Sequence, residues 1–166
     1  MGYTHYWRFK NLPKNIEAGA EKFAAASELF QEGLKKLGGK CKVTRYEYNP
    51  DWSLKSAHDE EVPMILRGSM GEGEPIINDK AIIFNGDASQ DLDHESFYVT
   101  LDYTEDDARF SFCKTARKPY DTAVCLALLC LEHEFGDDIT VSSDGNRESG
   151  EAGWGLAKEI FAEITK

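Results

Sequence analysis

"IINDKAIIF", residues 76–84, decides how the chain is read: two short apolar runs flank Asn78-Asp79, a pair that favours a tight turn. The spacing predicts a β-hairpin. On either side lie further short runs rich in β-branched and aromatic residues: "THYWRF" near the start, "CKVTRYEY", "KAIIFNG", "ESFYVTLDY", "RFSFCKT" and "DITVSS". From "KAIIFNG" to "RFSFCKT" no helical pattern intervenes, so antiparallel neighbours fit better than alternating βαβ units. The fold expected is α+β: a largely antiparallel sheet of about five or six strands, with three helices packed mainly on one face.

The helices announce themselves by a different period. Ile16, Ala20, Phe23, Ser27, Phe30, Leu34 and Leu37 recur every three or four residues, with Asn15 placed to cap the start and Gly38-Gly39 the end. A second helix is expected from near Pro119 through "TAVCLALLCLEHEF" to Gly136, apolar all round and therefore buried. A third, from about Glu151, carries Leu156, Ile160 and Ile164 on one stripe. Residues 49–63, "NPDWSLKSAHDEEVP", show no clean period and read as the longest loop, and "GSMGEGEP" reads as a Gly-rich turn. With no linker composition and 166 residues, residues 1–166 are expected to form a single globular domain.

Composition narrows the function classes. An apolar fraction of 41% argues against disorder, and no apolar run approaches the roughly 20 residues that span a bilayer, so no membrane partner is expected. The N-terminus lacks a signal-peptide pattern, and Cys41, Cys113, Cys125 and Cys130 form no CxxC pair, which points to buried, reduced thiols in a cytoplasmic protein. A net charge of -11 opposes binding to duplex nucleic acid.

Against that charge, "FCKTARKPYD", residues 112–121, gathers Lys114, Arg117 and Lys118. If a strand ends and a helix begins here, the cations join the free N–H groups of a helix N-terminus, an arrangement that takes phosphate or carboxylate. Thr115 and Tyr120, in the same decapeptide, count as ligand-binding candidates with them. The cations also have a simpler use, neutralising the eight acids found between residues 81 and 108, where no Lys or Arg occurs.

That acidic segment includes "NGDASQDLDHESF", in which Asp87, Asp91 and Asp93 are candidate ligands for a divalent cation and His94 and Glu95 are candidate catalytic groups. Its spacing matches neither an EF-hand nor HExxH, and a solvated acidic loop explains it equally. "VSSDGNRESG" offers Ser142, Ser143 and Asp144 to a ligand or forms an ordinary Asp-Gly turn. "YTHYWRF" supplies His5, Tyr6 and Trp7 as surfaces for a planar ring, unless they are core. His133, near a helix C-terminus, reads as a dipole-favoured cap. The Walker A, GxGxxG and GxSxG fingerprints are absent.

Taken in order, "MGYTHYW", "GEGEP", "FNGD", "DHESF", "FCKTARKPYD" and "VSSDG" make the chain resemble a family of uncharacterised small proteins of phage and bacterial genomes. The resemblance implies a context, a phage accessory or anti-defence protein, and carries over no catalytic residue or ligand. Three readings follow. The first is a binding module for a small anionic, nucleotide-like ligand, held by Lys114, Arg117 and Lys118 with an N-terminal aromatic on the base. The alternative is a metal-assisted phosphoester hydrolase built on the acidic segment. The last is an acidic DNA mimic or protein-interaction module displaying Asp91, Asp93, Asp106 and Asp107.

Overall fold

The computed structural model describes residues 3–9, 16–100 and 110–166. In chain order the elements are β1 (Thr4–Phe9), α1 (Ile16–Leu37), β2 (Lys40–Tyr48), β3 (Leu54–Pro63), β4 (Ile76–Ile77), β5 (Ala81–Phe84), β6 (Phe97–Thr100), β7 (Ser111–Lys114), α2 (Asp121–Phe135), β8 (Ile139–Ser143) and α3 (Trp154–Ile164). The protein is α+β, and among the described residues every strand pairing is antiparallel. Among the described residues the strands divide into three sheets, β7-β1-β8, β2-β3 and β4-β5-β6.

The hairpin expected at Asn78 forms as β4-β5, pairing Ile76 with Ile83 and Ile77 with Ile82. Asn78 closes it: its side-chain Oδ1 accepts from the backbone N–H of Lys80 (2.9 Å) and Ala81 (3.0 Å). Helix α1 docks on this turn, Ser27 Oγ donating to the Asn78 carbonyl at 2.6 Å and Gln31 to that of Ile77 at 2.8 Å.

A chain of aromatic rings ties the layers together. Phe30 of α1 meets Phe84 of β5 (5.5 Å between centroids), Phe84 meets Phe97 of β6 (5.1 Å), and Phe97 meets Trp7 of β1 (4.9 Å). Helix α2 lies between α1 and α3 and also packs on β8, which is why its sequence is apolar on all sides. Among the described residues no helix is long and apolar enough to cross a membrane.

Several boundaries differ from those the sequence predicts. Residues 54–63, read as loop, form the ten-residue strand β3, in register with β2 from Lys40↔Pro63 to Tyr48↔Leu54 with a bulge at Glu47/Tyr48. The signal failed because this hairpin has no strongly buried face: from residue 51 to 61 every side chain is exposed, so no alternation marks the strand. Helix α2, expected from near Pro119, begins at Asp121, after residues 115–121 close successive turns, Lys118 N–H to Thr115 O and Asp121 N–H to Lys118 O. Helix α3 begins at Trp154 rather than near Glu151, after a backbone reversal at Ala152 (φ 53°). Gly38 and Gly39 both adopt positive φ and end α1 as expected, and Asn15 lies outside the described residues.

Candidate ligand cleft and the buried cluster beneath it

Alternate residues of a strand share a face, so Lys42, Thr44, Tyr46 and Tyr48 line one side of β2. That side forms a wall of a cleft of about 470 Å³. The opposite wall is the turn after β7, with Arg117, Lys118 and Pro119, the first turn of α2, with Asp121 and Thr122, and residues 151–153 ahead of α3. Tyr46 and Tyr48 remain 59% and 52% exposed, their rings roughly parallel with centroids 6.4 Å apart, so their faces are open to a ligand. Three cations therefore confront two carboxylates, Asp121 and Glu151.

The cations are held from behind. The Arg117 guanidinium lies 4.6 Å from the Tyr3 ring centroid and reaches Glu151 Oε1 at 3.2 Å. Lys118 Nζ donates to the Asp91 carbonyl at 2.6 Å. The Glu151 carboxyl is held below its ordinary range, chiefly by the Asn146 N–H that it accepts and then by Arg117. Ala116, Arg117 and Ala152 all have positive φ (51°, 58° and 53°), half of the six such non-glycine residues described. Backbone conformations of this kind cost on the order of 1 kcal/mol each and gather where a site needs a fixed shape.

Below the cleft floor sits a wholly buried polar cluster. Asp121 Oδ1 accepts from His5 Nε2 and from Thr115 Oγ1, each at 2.6 Å, and Oδ2 accepts from the Gly153 backbone N–H at 2.9 Å. Cys125, one helical turn on, places Sγ 3.7 Å from Asp121 Oδ2 and 3.8 Å from His5 Nε2. Because a carboxylate only accepts, His5 Nε2 is the donor to Asp121, and Nδ1 is buried with no hydrogen-bond partner among the described residues. The Tyr3 hydroxyl beside it is buried and closes no bond of normal geometry, although Ser143 is near enough to favour its ionised form slightly; burial and the Asp121 charge outweigh that and raise the phenol well above its ordinary value. Burial does the same to the Cys125 thiol, followed by the Asp121 charge, so the shift favours the protonated sulfur when nothing is bound to it.

Of the candidate residues, Arg117 and Lys118 line the cleft, while His5 and Thr115 belong to the cluster. Lys114 is not in the cleft lining; its backbone N–H donates to Glu95 Oε2 at 2.7 Å. Tyr120 is buried and donates to the Glu95 carbonyl. Trp7 is core, and Tyr6 donates to Asp144 Oδ1, whose other oxygen accepts the Thr4 N–H. Ser143 accepts from the Trp154 indole, and Ser142 pairs across the sheet with Tyr6. In the acidic segment Asp87 is buried and caps a turn through Ser89, Asp91 is solvent-exposed, and His94 is exposed with its backbone clasped by the Asn85 side chain. Asp87, Asp91, Asp93, His94 and Glu95 do not line the cleft, and among the described residues the one group placed to share a metal ion is His5, Asp121 and Cys125. Asp106 and Asp107 lie outside the described residues.

Lys42, Tyr46, Tyr48 and Glu151 were not foreseen as site residues. The first three had a legible signal, since one side of "CKVTRYEY" reads Lys, Thr, Tyr, Tyr at every second position. No protein-family model, curated protein or solved structure matches the chain.

Proposed function

We propose that the protein is a binding module for a small anionic, nucleotide-like ligand, seated in the cleft between β2 and the turn that leads into α2. The observation that carries this reading is that Lys42, Arg117 and Lys118 line the same cavity as two exposed, near-parallel tyrosine rings. Cations at a helix N-terminus supply phosphate contacts, and aromatic faces stack bases of any sequence. Arg117 is the anchor, since its guanidinium is already oriented by Glu151 and Tyr3 and can present its remaining N–H groups to a phosphate. The aromatic partner is thus reassigned from the N-terminal strand, where His5 and Trp7 are buried, to Tyr46 and Tyr48. In the setting implied by the resemblance to phage proteins, such a module sequesters a nucleotide signal.

Calorimetric titration with nucleoside mono-, di- and triphosphates and with inorganic phosphate tests the reading. Arg117→Ala or Lys118→Ala is expected to weaken nucleotide binding roughly 10–100-fold, the value of one charge-assisted phosphate contact. Tyr46→Ala weakens the nucleotide but not phosphate, and Lys114→Ala, away from the cleft, changes neither. Absence of binding across the panel, or equal effects of Lys114→Ala and Arg117→Ala, refutes the reading.

A further inference from the structure

The geometry points to a divalent transition-metal site, suited to zinc, made by His5 Nε2, Asp121 Oδ2 and Cys125 Sγ beneath the cleft floor. Asp121 and Cys125 stand four residues apart on α2 and so share one helix face, and β1 brings His5 across to them. Imidazole, carboxylate and thiolate together form a donor set that zinc accepts and that magnesium or calcium, which prefer oxygen, do not.

The spacing is close to what such an ion needs. Zinc–sulfur bonds of about 2.3 Å and zinc–nitrogen or –oxygen bonds of about 2.0–2.1 Å, at tetrahedral angles, put sulfur roughly 3.5 Å from each lighter donor. Sγ lies 3.8 Å from His5 Nε2 and 3.7 Å from Asp121 Oδ2. The 2.6 Å contact from Nε2 to Oδ1 is too short for two ligands of one ion and is a hydrogen bond. The carboxylate therefore binds through Oδ2, while Oδ1 keeps the Thr115 hydroxyl and the Gly153 N–H steadies the group, the kind of outer contact that orients metal ligands.

On binding, the imidazole proton moves from Nε2 to Nδ1, which has no other partner among the described residues, and the thiol proton leaves to solvent, so each ion bound releases one proton. Asp121 and Gly153 also line the cleft, which gives the ion its route in. Three protein donors leave a fourth position to water or to a ligand oxygen arriving from above. This assignment moves the divalent-cation site away from Asp87, Asp91 and Asp93, and it stands independently of the nucleotide reading.

The test uses the full chain, stripped with a chelator and then either titrated with Co²⁺ or refolded in its presence. A thiolate-to-cobalt charge-transfer band in the near-ultraviolet and d–d bands in the visible are expected, saturating at one ion per chain and displaced by Zn²⁺. Cys125→Ser abolishes the near-ultraviolet band, and Cys130→Ser, which alters a buried thiol elsewhere on α2, retains it. A folded wild-type protein without the band, or a band that survives Cys125→Ser, overturns the site. Should Cys125→Ser fail to fold, Zn²⁺ added to wild-type protein labelled at the cysteine Cβ atoms must shift the Cys125 signal, and four unmoved signals overturn the site equally. Nucleotide heat and cobalt absorbance are separate readouts, so either proposal can fail alone.

Discussion

Replacing Asp121 with alanine strands three donors at once: His5 Nε2, Thr115 Oγ1 and the Gly153 N–H, which it accepts at 2.6, 2.6 and 2.9 Å. All three are buried, so water does not replace the lost partner without a rearrangement. An unsatisfied buried donor costs about 1–3 kcal/mol. The Thr115 hydroxyl can rotate to another acceptor and the vacated space admits some water, which brings the sum to roughly 3–5 kcal/mol, near the lower end of three such losses. For a chain of this size that is a fall in Tm of roughly 6–20 °C. Asp121→Asn keeps one oxygen but turns an amide NH₂ toward a donor, and should cost roughly 1–3 kcal/mol. Denaturant unfolding in the presence of a chelator, followed by tryptophan fluorescence, reads this directly, because Trp154 packs edge-on against His5 at 5.4 Å. A double-mutant cycle with Thr115→Val should return a coupling of about 0.5–3 kcal/mol. A loss under about 1 kcal/mol for Asp121→Ala would show that the cluster does not hold β1 to α2, and no coupling to Thr115 would show that the Thr115 hydroxyl does not rely on this carboxylate; either refutes the reasoning.

Gly153→Ala places a Cβ 2.6 Å from Asp121 Oδ2 and 2.7 Å from the Thr122 backbone nitrogen, so a destabilisation of about 2–3 kcal/mol is expected by thermal melting. Gly33→Ala brings its Cβ 2.6 Å from Cδ2 of the buried Leu126 and 3.3 Å from Ile164 Cδ1, side-chain ends rather than backbone, and gains helix propensity of about 1 kcal/mol, so its Tm should fall less than that of Gly153→Ala. Burial pushes the Cys113 and Cys130 thiols up to about 12 and Cys41 to about 11; an aromatic disulfide reagent at neutral pH should therefore label no cysteine until the protein is unfolded, and rapid native labelling would contradict the packing. The Ser89 hydroxyl foremost, and then the Ser89 N–H and Arg67, hold Asp87 below the ordinary value of 3.8. A depressed folded pKa contributes stability that is present above the ordinary value and lost as pH falls through the lower one, so in Tm-against-pH curves Asp87→Asn should narrow the gap to wild type under acid conditions and widen it at neutral pH.

The cores of the three helices and most strands were legible because burial imposes a period, as in Phe23, Ser27 and Phe30 on α1 or the continuous apolar run of α2. Strand β3 was not, and the reason is physical. Among the described residues it pairs only with β2, most of its side chains face solvent, and a strand without a buried face needs no hydrophobic alternation. The same exposure hid half of the candidate cleft, for Tyr46 and Tyr48 become neighbours of Arg117 and Lys118 only once the β2-β3 hairpin stands opposite the turn into α2.

The buried cluster escaped the sequence for a different reason. His5, Thr115, Asp121 and Cys125 are spread over two strand ends and a helix, and each alone has a bland explanation: a core imidazole, a turn hydroxyl, an N-terminal acid, an apolar-run thiol. What sets them apart is convergence on one carboxylate, together with His5 Nδ1 and Tyr3 Oη buried without hydrogen-bond partners among the described residues. A fold selected for stability alone gains nothing from two orphaned polar atoms beside a saturated carboxylate, since apolar residues of the same volume would fill that space at lower cost. Such violations concentrate where a site is built, and this one includes Thr115 and Gly153, the chain neighbours of Ala116 and Ala152 with their left-handed backbone. Cleft and cluster share Asp121 and Gly153. A perturbation of Asp121 should therefore reach both, changing ligand affinity through the position of the α2 first turn even where no ligand touches the buried atoms.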